Sequence, residues 1–261
     1  MITNKIKILR SSCMIYITGD IHREQDIHKI NPREFEAGNH LTPDDYVIIC
    51  GDFGCIWDGG SGDEFWLKWL ASLPWNTLFV DGNHENFDVL STYPIVDYKG
   101  GKARKIRDNV YHLMRGEVYE IDGRSFFTFG GAYSHDLMYR TEHVNWWKNE
   151  LPTKAEAQNA LNNLEKHDWN VDYVISHDVY TSHPLSKKYD RPLSPYGPDY
   201  VDIHSLLEQF NKKLQYKIWF CGHYHGDYIH YDQKKPCITL FNHVVLLEEL
   251  EKYLPLLKRI E

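Results

Sequence analysis

Six short runs of apolar, β-branched and aromatic residues constrain the fold of this chain most. They span residues 14–18, 46–50, 77–80, 125–129, 172–176 and 216–221. Runs of this length without polar alternation indicate strands that are buried on both faces. Such strands need layers of structure on either side of the sheet that contains them.

Helix-forming patterns lie between several of these runs. The spacing of apolar residues predicts helices over 63–72, 153–167 and about 200–214. The second begins with Thr153 and Glu156, whose spacing is that of a capping box. In the first, Trp66 and Trp69 lie at helical spacing with Leu70, and we expect both rings in the core.

Other strand-like segments have no helix between them. The pattern predicts one hairpin from residues 110–114 and 117–121, joined by Arg115 and Gly116, and a second from residues 228–231 and 237–241. This mixture of parallel and antiparallel pairing predicts α/β layers built on two sheets. The sequence contains no repeat and no long linker, so we expect residues 1–261 to form one domain.

Composition limits the classes of function. The chain is 42% apolar, with a formal net charge of −8 and a mean hydropathy of −0.53. No apolar run reaches the roughly 18 residues that a membrane helix needs, and the negative charge disfavours long nucleic acids as partners.

The five cysteines show no C-x-x-C spacing, so reduced thiols are expected. The N-terminal segment lacks the apolar stretch of a signal peptide, and we therefore expect a cytoplasmic location.

Nearly every apolar run is followed at once by a small residue and a side chain that can bind a metal or carry a proton. The run ends have the sequences T-GDIH, C-GDFG, VD-GNHE, S-HD and C-GHYH. Ligands gather at the carboxyl ends of strands in α/β sheets, so we expect these five ends to meet at one place. Asp20 and His22 are two residues apart, as are His223 and His225, and in an extended chain such pairs point to the same side.

The chemistry of these side chains favours a metal site. They are carboxylates, imidazoles and an amide without a thiolate, a set that suits Mn, Fe, Zn or Ni. Glycine precedes four of the five clusters and permits sharp turns and close approach, at Gly19, Gly51, Gly82 and Gly222. Burying several carboxylates and imidazoles together is costly without counterions, so we expect the cluster to need cations.

These motifs resemble those of the calcineurin-like metallophosphoesterases, and the resemblance runs from Asp20 to His225. The pattern of that family is GDxH, GDxxG or a variant, GNH(D/E), a histidine after a strand, and GHxH. The chain is also similar to small bacterial and phage members through GGKARKIRDNVYHLMRG, FFTFGGAYSHD and the pair Trp146-Trp147. The resemblance implies a four-layer α/β/β/α sandwich of two mixed β-sheets flanked by helices. It also makes residues 1–13 a dispensable N-terminal extension.

The resemblance implies two divalent metal ions, with manganese the expected metal and iron, zinc or nickel as alternatives. One ion would be held by Asp20, His22, Asp52 and His225, and the other by Asp52, Asn83, His177 and His223. Asp52 would therefore bridge the two ions. The implied reaction is hydrolysis of a phosphate ester by a metal-bridging hydroxide, with His84 as the general acid that protonates the leaving oxygen.

The sequence departs from one branch of that family. In protein Ser/Thr phosphatases, the carboxylate that orients the general acid and a phosphate-binding arginine lie three and four residues after the bridging aspartate. This chain has Cys55 and Ile56 at those positions, which counts against a protein phosphatase. Asp58, Asp81 and Asp178 are candidates for the missing carboxylate, and the sequence does not choose among them.

Two further residues are candidates for contact with the substrate. Arg23 follows His22 and is either a phosphate contact or a surface residue, and His135 is a candidate contact for the leaving group. Residues 57–62 form a glycine-rich aromatic loop of the kind that often shapes a pocket. We interpret the basic run as a solvated hairpin edge; it consists of Lys102, Arg104, Lys105 and Arg107.

The sequence supports two hypotheses of function. The first is a phosphoesterase, in which a phosphomonoesterase competes with a phosphodiesterase or nuclease that acts on nucleotides. The second is a non-catalytic binding scaffold, which is disfavoured because every expected ligand and His84 are present. Nucleophile-elbow hydrolases and P-loop enzymes are excluded, because neither motif occurs.

Overall fold

The computed structural model of the protein describes residues 13–188, 193, 195–232 and 235–257. The strands are β1 (Ile15–Thr18), β2 (Tyr46–Ile49), β3 (Asn76–Phe79), β4 (Ile95–Tyr98), β5 (Gly101–Arg107), β6 (Val110–Leu113), β7 (Glu117–Ile121), β8 (Arg124–Phe129), β9 (Tyr173–Ser176), β10 (Ile218–Cys221), β11 (Tyr228–Asp232), β12 (Lys235–Thr239) and β13 (Val245–Leu246). The α-helices are α1 (Ser61–Ala71), α2 (Phe87–Ser91), α3 (Lys154–Lys166), α4 (Ile203–Lys213) and α5 (Leu247–Leu257). Apart from Cys13, the predicted N-terminal extension lies outside the described residues.

The strands form two mixed sheets. The first has seven strands in the order β13-β1-β2-β3-β6-β5-β4, and the second has six in the order β11-β12-β10-β9-β8-β7. Strands β1, β2, β3 and β6 run parallel in the first sheet, as do β8, β9, β10 and β12 in the second. The other pairs are antiparallel and lie toward the sheet edges.

Apolar side chains enter three layers of core, which explains why the strand sequences show no polar alternation. In β1, Ile15 and Ile17 pack between the two sheets, whereas Tyr16 packs in the core under α1. In β9, Ile175 packs between the sheets and Val174 packs in the core under α3 and α4. Each sheet therefore has helices on its outer face and the other sheet on its inner face, and the predicted four-layer sandwich is confirmed.

The predicted helices are present within a few residues of their expected bounds, but the aromatic face of α1 differs from the prediction. Leu67 and Leu70 are buried in the core under α1, whereas Trp66 and Trp69 are only half-buried and pack against its edge. The two tryptophans lie on either side of the buried face of α1, so a prediction from helical spacing alone overestimated their burial.

One of the two predicted hairpins is wrong. Strand β6 pairs with β3 and β5 in the first sheet, whereas β7 pairs with β8 in the second. Arg115 and Gly116 therefore carry the chain from one sheet to the other. The Arg115 side chain is buried and donates hydrogen bonds from Nε and Nη2 to Asp81 Oδ2, at 2.9 and 2.5 Å. This ion pair between distant residues fixes the segment that connects the two sheets, and no local sequence pattern reveals it. The second predicted hairpin, β11 with β12, is confirmed.

The predicted capping box at the start of α3 is confirmed and gives a stability prediction. Thr153 Oγ1 accepts a hydrogen bond from Glu156 N at 3.2 Å, and Glu156 Oε2 accepts one from Thr153 N at 2.8 Å. We expect Thr153→Ala to lower the free energy of unfolding by about 1 kcal/mol, measured by urea denaturation in the presence of a chelator. Gln158→Ala on the exposed face of the same helix is the control, with an expected change within about 0.5 kcal/mol. Equal losses in the two variants would contradict the capping role.

Candidate metal centre

The carboxyl ends of the parallel strands bring the predicted ligands together from both sheets. The first sheet contributes the loops after β1, β2 and β3, and the second contributes those after β9 and β10. The chelating side chains form two groups, in each of which the ligand atoms lie within 4.8 Å of one another: Asp20, His22, Asp52 and His225, and Asp52, His177 and His223. Asp52 belongs to both groups, and the family resemblance implies a bridging ligand at this residue.

The two carboxylate oxygens of Asp52 face different groups. Oδ2 lies 3.2 Å from His22 Nε2, whereas Oδ1 lies 3.3 Å from His177 Nε2. Oδ1 also accepts a hydrogen bond from the backbone N–H of His84 at 2.8 Å. The last contact fixes the loop after β3, which carries Asn83, against Asp52.

The hydrogen bonds of the His177 and His22 rings show that the nitrogen and oxygen atoms around Asp52 suit a bound cation. His177 Nδ1 lies 2.7 Å from the carbonyl oxygen of Cys50, which can only accept, so Nδ1 carries the proton. His22 Nδ1 makes the equivalent contact with Asp26 Oδ2 at 2.7 Å. Nε2 of both rings therefore faces the Asp52 carboxylate, which raises the pKa of both imidazoles in the absence of a metal ion. The arrangement needs positive charge between the groups, and a divalent cation supplies that charge when the rings are neutral.

Two buried polar atoms support the same conclusion. Asn83 Oδ1 and His177 Nε2 are buried and have no hydrogen-bond partner among the described residues. Leaving a buried acceptor unpaired costs about 1–3 kcal/mol, whereas a bound cation would satisfy it. The residues present therefore fit a pair of divalent metal ions.

The pKa values of the ligand side chains are shifted by burial and by the neighbouring charges. Burial raises the pKa of Asp20 to about 7 and lowers the pKa of His223 to about 3. Burial also opposes the charged form of Asp52, but the His177 and His84 rings hold the pKa of this carboxyl well below its usual range. Asp52 is thus ionised and His223 is neutral near pH 7, which are the forms that bind metals.

The backbone of the ligand loops is strained, and here the sequence reasoning needs correction. The i, i+2 pairs were expected to reach one cavity from extended chain. Instead, five of the predicted ligands have positive φ angles: Asp20 (32°), His22 (35°), Asp52 (48°), His223 (69°) and His225 (48°). Such conformations cost on the order of 1 kcal/mol or more each and concentrate at functional sites. Tight left-handed turns, and not strand periodicity, aim these side chains.

Two glycines make room for the ligands themselves. A Cβ atom on Gly82 would lie 2.1 Å from Asp52 Oδ1 and 2.8 Å from His177 Nε2. At Gly51, where φ is +90°, it would lie 2.2 Å from His177 Nδ1. The glycines expected from the motifs are therefore required by direct contact between loops.

Sequence reasoning missed the groups that hold the ligand loops in place. Asp26 orients His22, and the Cys50 carbonyl orients His177. Lys29 Nζ donates to the carbonyl oxygens of Asp20 and Phe241, at 2.7 and 2.5 Å, and the Phe241 ring stacks on His225. The only sequence signal for Asp26 was its position four residues after His22, and nothing in the sequence pointed to Lys29.

His84 lies beside the two groups, but none of the three candidate carboxylates orients it. Asp58 accepts from Gly60 and Arg23, Asp81 from His112 and Arg115, and Asp178 from Val179, His204 and Tyr224. Within the described residues, no carboxylate accepts a hydrogen bond from the His84 ring. Burial lowers the pKa of His84, and the charge of Asp52 opposes that effect.

A cavity of about 270 Å³ opens beside His84. His22, Arg23, Glu24 and Trp57 line it. The Arg23 guanidinium lies in the cavity wall but donates to three carboxylates, those of Glu24, Asp58 and Asp63. Trp57 therefore shapes this pocket, as its loop position suggested, while the charge of Arg23 is already neutralised.

The structure also describes the other residues that the sequence analysis considered. His135 is exposed, and the neighbouring Ser134 is the residue of that loop that reaches Asn83. Cys55 and Ile56 are fully buried in the core, so their positions offer no group to a substrate. The basic run lies in strand β5, which pairs with both β4 and β6, so β4 and not β5 is the edge of this hairpin. The basic side chains contact acidic residues or backbone carbonyls: Lys102 with Asp97, Lys105 with Asp108, Arg107 with Glu64, and Arg104 with the carbonyls of Ser91 and Tyr93.

The fold and this centre define a hydrolase that depends on metal ions. The sequence model of the calcineurin-like phosphoesterases matches residues 14–227, and the chain belongs to this family. It is accordingly a metal-dependent phosphoester hydrolase. No curated protein gives a match. Every helix among the described residues falls short of the length and apolarity that a membrane crossing requires.

Several solved structures resemble the chain at low identity. GAP50, the anchor in the inner membrane complex of Plasmodium, is 13% identical with a TM-score of 0.49, and the match covers 89% of this chain and 72% of that one. A protein assigned as a 5′-nucleotidase from Staphylococcus aureus is 16% identical with a TM-score of 0.45, covering 88% and 48%. The phosphopantetheinyl hydrolase PptH from Mycobacterium tuberculosis is 15% identical with a TM-score of 0.41, covering 92% of each chain. Scores this low carry no argument about activity.

The contact of Gly82 with Asp52 gives a prediction for the site. We expect Gly82→Ala to weaken Mn²⁺ binding by at least about tenfold, because the added Cβ displaces the carboxylate that both groups share. Isothermal titration of metal-stripped protein measures this. Gly123→Ala is the control: its φ is +71° but nothing lies within 4 Å of the new Cβ, so it should lose stability and keep metal affinity. Unchanged Mn²⁺ affinity in Gly82→Ala would contradict the proposed geometry.

Proposed function

We propose that this chain hydrolyses phosphate esters at the two groups that share Asp52, with His84 as the general acid. The observation that supports this most is the convergence of both groups on one carboxylate, with the His84 backbone bonded to that carboxylate and its ring beside it. The GNHE motif that carries Asn83 and His84, and the bacterial and phage-type segments of the sequence, support a place among the small members of the family.

The proposed metal ligands fall into two sets, one for each divalent ion. Asp20, His22, Asp52 and His225 would hold one divalent ion, and Asp52, Asn83, His177 and His223 the other, with manganese as the proposed metal. Bound ions of this kind supply Lewis acidity: they lower the pKa of water and offset charge on phosphoryl oxygens. The buried loops keep the ligands fixed, so little reorganisation is needed when the ester binds.

His84 would hold a proton for the leaving oxygen. It lines the pocket beside the ligands, and its backbone N–H is anchored to Asp52 at 2.8 Å, so the ring is carried by the same loop as Asn83. A positioned histidine can donate its proton to an alkoxide as the ester bond breaks, which contributes about 10²–10⁴-fold to the rate.

The pocket indicates the kind of leaving group. Trp57 offers an aromatic surface, while Arg23 donates through Nε and Nη1 to three carboxylates and therefore offers no unpaired charge to a second phosphate. Most of the remaining lining is polar or charged, so Trp57 is the side chain that distinguishes this pocket as a site for an aromatic leaving group. A phosphodiesterase acting on nucleotides is the second candidate, because Trp57 places an aromatic ring in the pocket and bases stack on such rings.

Replacing the shared carboxylate tests the proposed function. We expect Asp52→Asn to reduce turnover of p-nitrophenyl phosphate and bis-p-nitrophenyl phosphate by more than about 10²-fold in Mn²⁺-loaded protein, with near-ultraviolet circular dichroism unchanged. Asp97→Asn, an exposed aspartate, is the matched control. Wild-type turnover in a folded Asp52→Asn protein would sink the proposal. Preference of the wild type for the diester assigns nucleotides, and preference for the monoester assigns small phosphate monoesters.

Replacing the proposed acid gives a different signature. His84→Gln should lower kcat for an alkyl phosphate, whose leaving group needs a proton, by about 10²-fold or more. It should lower kcat for p-nitrophenyl phosphate much less, because that leaving group departs as an anion. His28→Gln, at an exposed position, serves as the control. Equal losses on the two esters would argue against a proton-donating role for His84.

A further inference from the structure

A chain of buried hydrogen bonds connects Asn83 to the opposite sheet. Asn83 Nδ2 lies 3.3 Å from Ser134 Oγ, in the loop after β8. Ser134 Oγ in turn lies 2.7 Å from Glu150 Oε2, and Ser134 N donates to Glu150 Oε1 at 2.9 Å. The hydroxyl of Tyr196 donates to the same Oε1 atom. Exposed fractions are 4% for Asn83, 1% for Ser134, 0% for Glu150 and 2% for Tyr196, so water does not compete with these contacts.

The direction of these hydrogen bonds follows from the donor inventory. An ionised carboxylate only accepts, so Ser134 directs its single hydroxyl hydrogen to Glu150. The Ser134 oxygen can then only accept from Asn83, which must present its NH₂ group. The carbonyl end of the amide, Oδ1, is thereby turned the other way, and it is the end that has no partner among the described residues.

The charge of Glu150 thus affects the orientation of the Asn83 amide through Ser134. Burial raises the pKa of Glu150 to about 7, while the hydrogen bonds from Tyr196 and Ser134 favour the carboxylate. A neutral side chain at this position can donate to Ser134. The serine hydrogen is then free to turn toward Asn83 and would favour the flipped amide, with its NH₂ group facing the metal ligands.

We propose that Ser134 and Glu150 are positioning residues that hold the Asn83 amide with its oxygen toward the second group of ligands. This inference rests on the proposed function, because it concerns metal binding by Asn83. A wrongly turned amide would place a hydrogen-bond donor where a ligand oxygen is needed. Partners of this kind typically change metal affinity by 10–100-fold when they are removed.

Metal titration of the metal-stripped chain of residues 1–261 tests the inference without measuring catalysis. At pH 8, calorimetric titration with MnCl₂ should resolve two binding events in the wild type. We expect Ser134→Ala to weaken one event by about tenfold or more and to leave the other within about twofold. Glu150→Gln should produce the same selective loss. Ser186→Ala removes another buried serine hydroxyl, which donates to the Thr181 carbonyl at 2.7 Å, and should change neither event.

A double-mutant comparison separates positioning from general structure. If Ser134 acts through Asn83, adding Ser134→Ala to Asn83→Ala has no further effect on Mn²⁺ affinity, whereas a merely structural role adds a further loss. Unchanged affinities in both Ser134→Ala and Glu150→Gln overturn the inference, as does an additive double mutant. Wild-type protein that binds fewer than two Mn²⁺ ions overturns the proposed function as well. Glu150→Gln keeps the size of the side chain, so it tests the idea if Ser134→Ala does not fold.

Discussion

The Asp52 carboxylate is the interaction on which the rest of the site depends. It is 1% exposed, its oxygens face imidazoles from different sheets, and it accepts a hydrogen bond from the loop that carries Asn83 and His84. A buried charge in this position needs compensating charge and fixed partners. The left-handed turns and the glycines without room for a side chain both follow from packing loops around that carboxylate. The strain they store is the cost of a site that is organised in advance.

The two-sheet architecture is what brings these loops together. Parallel strands point their carboxyl ends the same way, and two such sheets packed face to face place both sets of ends at one edge. The core between the sheets, which contains Ile17 and Ile175, therefore determines the distance between ligands from the two halves. The chain crosses from one sheet to the other at Arg115, whose buried ion pair with Asp81 lies next to the Gly82 loop.

Much of this could be predicted from the sequence, because burial and ligand chemistry leave local marks. Uninterrupted apolar runs indicated strands buried on both faces, and a capping box marked the start of α3 at Thr153. The features that were missed depend on contacts between distant segments. Nothing near residue 115 indicates that Arg115 pairs with Asp81 and sends β7 into the second sheet. For the same reason the sequence did not indicate that Ser134 contacts Asn83; the expected contact of His135 with the leaving group stays a prediction.

The central claim is that two divalent ions share Asp52, and anomalous diffraction tests it most directly. Crystals of the chain of residues 1–261 grown with MnCl₂ would be measured on both sides of the manganese absorption edge. We expect two anomalous peaks, one among Asp20, His22, Asp52 and His225 and the other among Asp52, Asn83, His177 and His223. A single peak, or peaks that do not share Asp52, would contradict it.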